Sequence, residues 1–202
     1  MHISEGICSP PVLAAGMFLA VAGVAYGTKK IETENIPKVG VLSSAFFVVS
    51  LIHIPVGPAG VHLVLNGLMG LLLGWAAFPA IMIALLLQGV LFQYGGITSL
   101  GVNTVNMALP AVLCYYLFRG LVKSGDIRRI AIAGFACGFL SLMLSIAAVV
   151  LTLLLTERGF LVAAQVILAV HVPVMVIEGL ITAFALLFLR KAKPEIIEVG
   201  VC

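Results

Sequence analysis

Seven apolar segments fill almost the whole chain, and no other feature constrains its fold as strongly. They are Pro11–Gly27, Val39–His53, Val61–Gly74, Trp75–Gln93, Thr104–Phe118, Ile130–Leu155 and Phe160–Leu189. A helix needs roughly 20 apolar residues, with a range of about 17 to 25, to cross the hydrocarbon of a bilayer. Several segments fall short of that length, Val61–Gly74 most clearly. Gly and Pro mark the joints at Ile54–Gly60 and Tyr94–Gly101. Charged residues make up 9% of the 202, and mean hydropathy is +1.25. A soluble domain carries roughly 25% charged residues. So few charges cannot cover a water-facing surface of this size, so lipid is the solvent for most of the chain. The expected fold is all-α and integral to the membrane: about seven transmembrane helices in one membrane domain over residues 1–202. No separate soluble domain and no nucleic-acid partner are expected.

The basic residues orient such a bundle, because loops rich in Lys and Arg stay in the cytoplasm. Lys29, Lys30 and Lys38 follow the first segment, Arg119, Lys123, Arg128 and Arg129 follow the fifth, and Arg190, Lys191 and Lys193 follow the last. With seven crossings these ten of the eleven basic residues share one side, and only Arg158 lies on the other. The amino terminus is therefore expected outside and the carboxy terminus in the cytoplasm, across the cell (inner or plasma) membrane. Met1 to Pro11 carries Glu5 but no Lys or Arg. It lacks the basic start of a signal peptide, so Met1 is expected to be the mature amino terminus. Cys8, Cys114, Cys137 and Cys202 are scattered and form no C-x-x-C pair, which points to neither a disulfide framework nor a structural zinc site. Gly16, Ala20, Gly23 and Gly27 share one face of the first helix. Such faces let membrane helices approach closely. Packing within the chain is the expected use, with a docking face for a partner subunit as the alternative.

Met1-His2 is the unusual chemical feature. A free terminal amine and the backbone nitrogen of His2 close a five-membered ring around a metal ion, and that backbone nitrogen with Nδ1 of the His2 imidazole closes a six-membered one. Three nitrogens then lie in one plane, an arrangement suited to Cu(II), Ni(II) or Co(II). A fourth ligand is needed, and imidazole is the commonest. His62 follows a Gly-Pro turn on the expected outer side, with Asn66 one helical turn further, placed to hydrogen-bond a ligand. His53, at the outer end of the second segment, reads as an interfacial histidine. Asn103, Thr104 and Asn106 follow the Gly-rich outer loop, where they suit a helix cap or hydrogen bonds to the metal ligands. His171 and Glu178 share a face of the last helix, and Glu178 is the one carboxylate well inside a span. Ionisable groups at that depth are costly and are functional candidates.

There is no G-x-x-x-x-G-K-[ST] phosphate loop, no H-E-x-x-H and no G-x-S-x-G. The expected protein is a transporter subunit without an ATPase motif of its own, not an enzyme.

Stretches from end to end resemble the CbiM/NikM family, the substrate-capture components of energy-coupling factor transporters for cobalt and nickel. They include Met-His-Ile-Ser-Glu-Gly at 1–6, Leu-Leu-Gly-Trp-Ala-Ala-Phe-Pro-Ala-Ile at 72–81, Gly-Val-Asn-Thr-Val-Asn-Met-Ala-Leu-Pro at 101–110 and His-Val-Pro-Val-Met-Val-Ile-Glu-Gly at 171–179. The resemblance implies one divalent ion held near the outer side by the Met1 amine, the backbone nitrogen and imidazole of His2, and His62. His53 is the less favoured second histidine, since residues 51–60 match the family less well. The resemblance also implies a transmembrane coupling (T) subunit, cytoplasmic ATP-binding subunits and a small membrane N subunit, here a separate chain since this one ends soon after its last helix. The expected cargo is Co(II), with Ni(II) the alternative, and no organic cofactor. Nickel binds a given nitrogen site more tightly than cobalt, so affinity alone does not set cobalt selectivity. Two readings from other classes compete: an ATP-independent cation carrier or channel with His171 and Glu178 as a relay, and a membrane enzyme using them as an acid–base pair.

Overall fold

The computed structural model describes residues 2–56, 59–157, 159 and 161–198. An extended amino-terminal segment leads into α1 (Pro10–Lys29), started by prolines whose missing N–H costs nothing in a first helical turn. A 3₁₀ turn (Thr33–Asn35) precedes α2 (Ile36–Ser50). A two-stranded antiparallel hairpin follows, β1 (His53–Val56) and β2 (Ala59–His62), with His53 in register opposite His62. Then come α3 (Asn66–Leu73), a 3₁₀ turn (Gly74–Ala76), α4 (Ala77–Phe92), α5 (Leu100–Val122), α6 (Ile127–Thr156), α7 (Leu161–Ala192) and the short α8 (Glu195–Glu198).

Pairs of contacting residues give the helix directions. Asn66 of α3 reaches Met107 of α5, and Gly70 lies against Ala111, so these two helices run the same way. At Gly74, in a positive-φ conformation (54°), the chain reverses. α4 then climbs back along α1, since Trp75 meets Gly27 and Phe78 meets Gly23. Ser43 bonds the Ala80 carbonyl and Ser50 bonds Gln88, so α2 runs parallel to α4. α6 rises from Cys137 beside Gly67 to Thr152 beside Asn106, and α7 descends from there.

The direction of the chain thus alternates through all seven apolar segments, but they are not seven full-length spans. Among the described residues, Pro10–Lys29, Leu100–Val122, Ile127–Thr156 and Gln165–Ala192 are each long and apolar enough to cross a bilayer as one helix; Asn66–Phe92 has the length and apolarity too, but turns back at Gly74 into α3 and α4. α2 has only 15 residues. The third segment departs most from expectation. Its first residues are strand and turn, and its helix has 8 residues, or about 12 Å at 1.5 Å per residue. Non-helical backbone at such depth is tolerated where surrounding protein satisfies its polar groups, and α3 is enclosed by α5, α6 and α7.

The stripe Gly16, Ala20, Gly23 and Gly27 is buried within the chain. A Cβ on Gly16 would meet Val102 and one on Gly27 would meet Trp75 and Pro79. The face therefore serves internal packing, not a partner. Cys8, Cys114 and Cys137 are buried free thiols, and Cys202 lies outside the described residues. On the outside of the bundle Phe18, Ile132, Phe184 and Phe188 are two-thirds to three-quarters exposed, which is the surface lipid requires. Lys29, Lys38, Lys123, Arg129 and Arg190 all sit at the end of the bundle where α1, α5 and α7 finish and α2 and α6 begin. Lys38 Nζ bonds the Ile196 carbonyl there at 3.1 Å, tying α2 to α8. His2, His62 and His171 lie toward the opposite end.

Candidate metal-binding site

The amino-terminal segment is held in place by the loop between α4 and α5. The side-chain amide of Asn103 treats Ile3 as a strand would: Ile3 N–H donates to Oδ1 at 2.9 Å, and Nδ2 donates to the Ile3 carbonyl at 3.0 Å. Ser99 Oγ donates to the same carbonyl at 2.8 Å. Glu5 N–H donates to Gly95 O at 3.1 Å, and the Glu5 carboxylate accepts from Thr98 N–H at 3.0 Å. That last bond holds the Glu5 carboxyl below its ordinary value.

Local sequence explains how the loop takes this shape. α4 stops at Gln93 in the left-handed conformation (φ 58°), with the Gln93 and Tyr94 N–H groups both returning to Gln88 O, the latter at 3.3 Å, so a left-handed residue ends the helix and its orphan carbonyl is satisfied. Gly95 and Gly96 continue at positive φ. A Cβ on Gly96 would strike the Glu5 side chain, and one on Gly95 would come within 3.4 Å of His2 Cβ. The glycines therefore clear the bed on which residues 2–5 lie.

Clamped in this way, His2 stacks on His62 with ring centroids 4.7 Å apart and planes 14° apart, and Tyr94 flanks it at 6.4 Å. Both ring nitrogens of His2 are shut off from solvent and have no hydrogen-bond partner among the described residues. Burial pushes the His2 imidazole down to about 4, so the ring is neutral at physiological pH with a lone pair to offer. His62 is 4% exposed. Its Nδ1 lies 3.1 Å from the Leu63 carbonyl, and the tautomer that donates there carries its lone pair on Nε2. Met1, the other proposed donor, lies outside the described residues.

His62 belongs to strand β2, not to the start of a helix as expected, so Asn66 is not one turn along from it. Asn66 opens α3 and donates through Nδ2 to Ser145 Oγ at 2.7 Å and to Met107 O at 3.3 Å, leaving Oδ1 buried without a partner. Asn106 accepts from Thr152 Oγ1 at 3.3 Å, and its Nδ2 is likewise buried and unpartnered. Neither Asn caps a helix. The backbone of His53 pairs opposite His62; its side chain is outside the description.

His171 is 3% exposed. Its Nδ1 lies 2.7 Å from the Ile167 carbonyl in its own helix, and its Nε2 is buried without a partner among the described residues. Glu178 is fully buried, and its carboxylate is taken up by backbone N–H groups. It accepts from Val64 N–H through Oε1 and from Leu65 N–H at 3.1 and 2.9 Å through both oxygens. Among the described residues no three His, Cys, Asp or Glu side chains converge as a metal site. Sequence reasoning missed Glu5, Ser99, Gly95 and Gly96 as holders of the amino terminus. The only available signal was the consecutive glycines ahead of Ser99 in an outer loop.

Replacing Asn103 with Ala leaves the buried Ile3 N–H unpaired, which costs about 1–3 kcal/mol. The expected result is selective loss of hydrogen-exchange protection at Ile3 and Glu5, with α6 and α7 unchanged.

Fold and site together define a multi-pass α-helical membrane protein with a buried imidazole pair opposite its basic end. The chain belongs to the CbiM family: the family profile described as "Cobalt uptake substrate-specific transmembrane region" matches residues 2–196. It is a membrane component of the CbiM/NikM type, from a family of transport proteins and not of enzymes. A Haemophilus influenzae protein bearing a metal-transport name is 41% identical over 198 residues, covering 97% of this chain and 96% of its own. The cobalt transport protein CbiM of Sorangium cellulosum is 30% identical over 215 residues, covering 98% and 95%. The fused nickel transport protein NikMN of Rhodobacter capsulatus is 29% identical, with 98% of this chain matched to 64% of the relative. A crystal structure of a transition metal transporter superimposes with a TM-score of 0.82 at 26% identity, over 95% of this chain and 93% of that one.

Proposed function

We propose that this chain captures Co(II) on the outer side of the cell membrane as the substrate-binding component of an energy-coupling factor importer. The ion is held by the Met1 amine, the backbone nitrogen and imidazole of His2, and the His62 imidazole. The observation that carries the reading is the buried His2–His62 ring pair, with the His2 Nδ1 needed for the chelate lacking any partner among the described residues. Two imidazoles alone make a poor site, but the scheme takes its remaining donors from backbone and terminus. It therefore needs no third ligating side chain.

The description of the matching family supports cobalt, and relatives named for nickel make Ni(II) the alternative. The orientation rests on the basic end being cytoplasmic. T and ATP-binding subunits supply the energy. The fused relatives support an N subunit. Glu178 already accepts backbone hydrogen bonds through both oxygens, which argues against its acting with His171 as a relay in a free-standing carrier.

Metal analysis of the protein purified from cells given both ions tests this. About one ion per chain is expected, with cobalt in excess, and His62→Ala should retain less than a tenth as much, since even residues behind the ligands affect affinity by about 10- to 100-fold. Full retention by His62→Ala, or uptake in cells without an ATP-binding partner, would refute it.

A further inference from the structure

Glu178 has no cationic partner among the described residues, yet it is fully buried in the bundle. Its carboxyl oxygens are met by successive backbone N–H groups of Val64 and Leu65, the kind of concave donor pair that binds anions elsewhere. These are the two residues that join His62 to α3. Leu65 holds a left-handed conformation (φ 53°), uncommon for a residue with a branched side chain, and α3 begins at the next residue. The helix has no side-chain cap, and the carboxylate from α7 instead ties down the two N–H groups just ahead of its first turn. α7 comes close enough because α6 carries Gly138, whose missing Cβ would fall 2.9 Å from the Glu178 carbonyl carbon.

We infer that Glu178 is a positioning residue for metal capture: by gripping the backbone just after His62 it holds that imidazole against His2. Its role is then neither proton relay nor metal ligand. The inference rests on His62 being the fourth ligand, as proposed above.

The test measures binding of Cu(II), the ion with the strongest preference for a planar nitrogen field, to the full chain in detergent. Affinity and visible absorption are followed for Glu178→Ala and Glu178→Gln, each with His62 present and with His62→Ala. Loss of the carboxylate lets His62 drift, so water oxygen replaces an imidazole nitrogen. The absorption band should shift to longer wavelength and affinity fall about tenfold. Gln keeps one oxygen facing both N–H groups and should largely restore the spectrum, with affinity within about threefold of the parent. In the His62→Ala background neither change should weaken binding further, the signature of two residues acting through one interaction.

Wild-type affinity and spectrum in Glu178→Ala would overturn the inference, as would equal weakening with and without His62. Should Glu178→Ala not fold, Glu178→Asp, one methylene too short to grip both N–H groups, is read in the same two backgrounds against the same criteria. His2→Ala, measured alongside, separates the two claims. If it binds normally, the metal site itself is wrong; if it fails while Glu178→Ala binds normally, only the role of Glu178 is.

Discussion

A chain carrying one extra glycine ahead of Met1 is expected to lose its metal, with affinity falling more than about a hundredfold, beyond the 10- to 100-fold typical of changes behind the ligands. The extension turns the terminal amine into an amide and removes one donor of the five-membered ring. It does so without disturbing the rest of the site, because residues 3–5 are clamped independently by Asn103, Ser99, Gly95 and Thr98. His2 should still stack on His62, leaving the ion the His2 backbone nitrogen and two imidazoles but not the amine that closes the five-membered ring. His2→Ala removes a different donor and should cost a similar amount. Equilibrium dialysis of both proteins against cobalt checks the prediction, and normal retention by either would remove the basis for the site. Because the ion displaces protons from its nitrogen donors, retention in the parent protein should also fall as the pH is lowered.

Gly70→Ala should be the most destructive single methyl group in the chain. Its Cβ would coincide with the Ala111 carbonyl oxygen, 2.6 Å from the carbonyl carbon and 3.0 Å from Cα. Ordinary contacts need at least 3.4 Å, and every obstructing atom is backbone of α5, which no rotamer change relieves. Three residues earlier, a Cβ built on Gly67 would lie 2.9 Å from the Cys137 carbonyl oxygen of α6, so that helix already abuts α3 and leaves it no room to retreat the other way. Overpacking costs about 1–3 kcal/mol where side chains adjust; against two backbones the loss should reach or exceed the top of that range. Thermal unfolding in detergent should show a large drop, and Asn66, which opens the same helix, and His62, four residues ahead of it at the end of β2, should lose their places. Gly40→Ala is the matched control, since a Cβ there meets nothing within 4 Å and should be neutral. A wild-type melting temperature for Gly70→Ala would mean that α3 does not lie between α5 and α6 as described.

Much of this was readable in advance. Hydrophobicity is a sum over residues, so long runs such as Ile130–Leu155 declare a membrane solvent without reference to contacts, and the grouping of basic residues declares a common end. Met1-His2 is equally local: the proposed chelate depends on ring sizes between atoms of adjacent residues, which sequence alone specifies. Asn103 was singled out for its place after a Gly-rich loop, although its use, pairing with the backbone of Ile3, depends on two segments meeting.

Tertiary structure alone decided the rest. The third apolar segment looked like a helix because apolar content does not distinguish strand from helix in a short run. It became a hairpin and an eight-residue helix, packed against α5 and α6, with Cys137 donating to the Gly67 carbonyl and Glu178 accepting from the Val64 and Leu65 N–H groups. The meeting of His2 with His62, the clamp from Glu5 and Ser99, and the capture of Glu178 by Val64 and Leu65 are all contacts between residues far apart in the chain. Composition and spacing carry no distance across such gaps; only packing, by excluding every other arrangement of the same helices, supplies it.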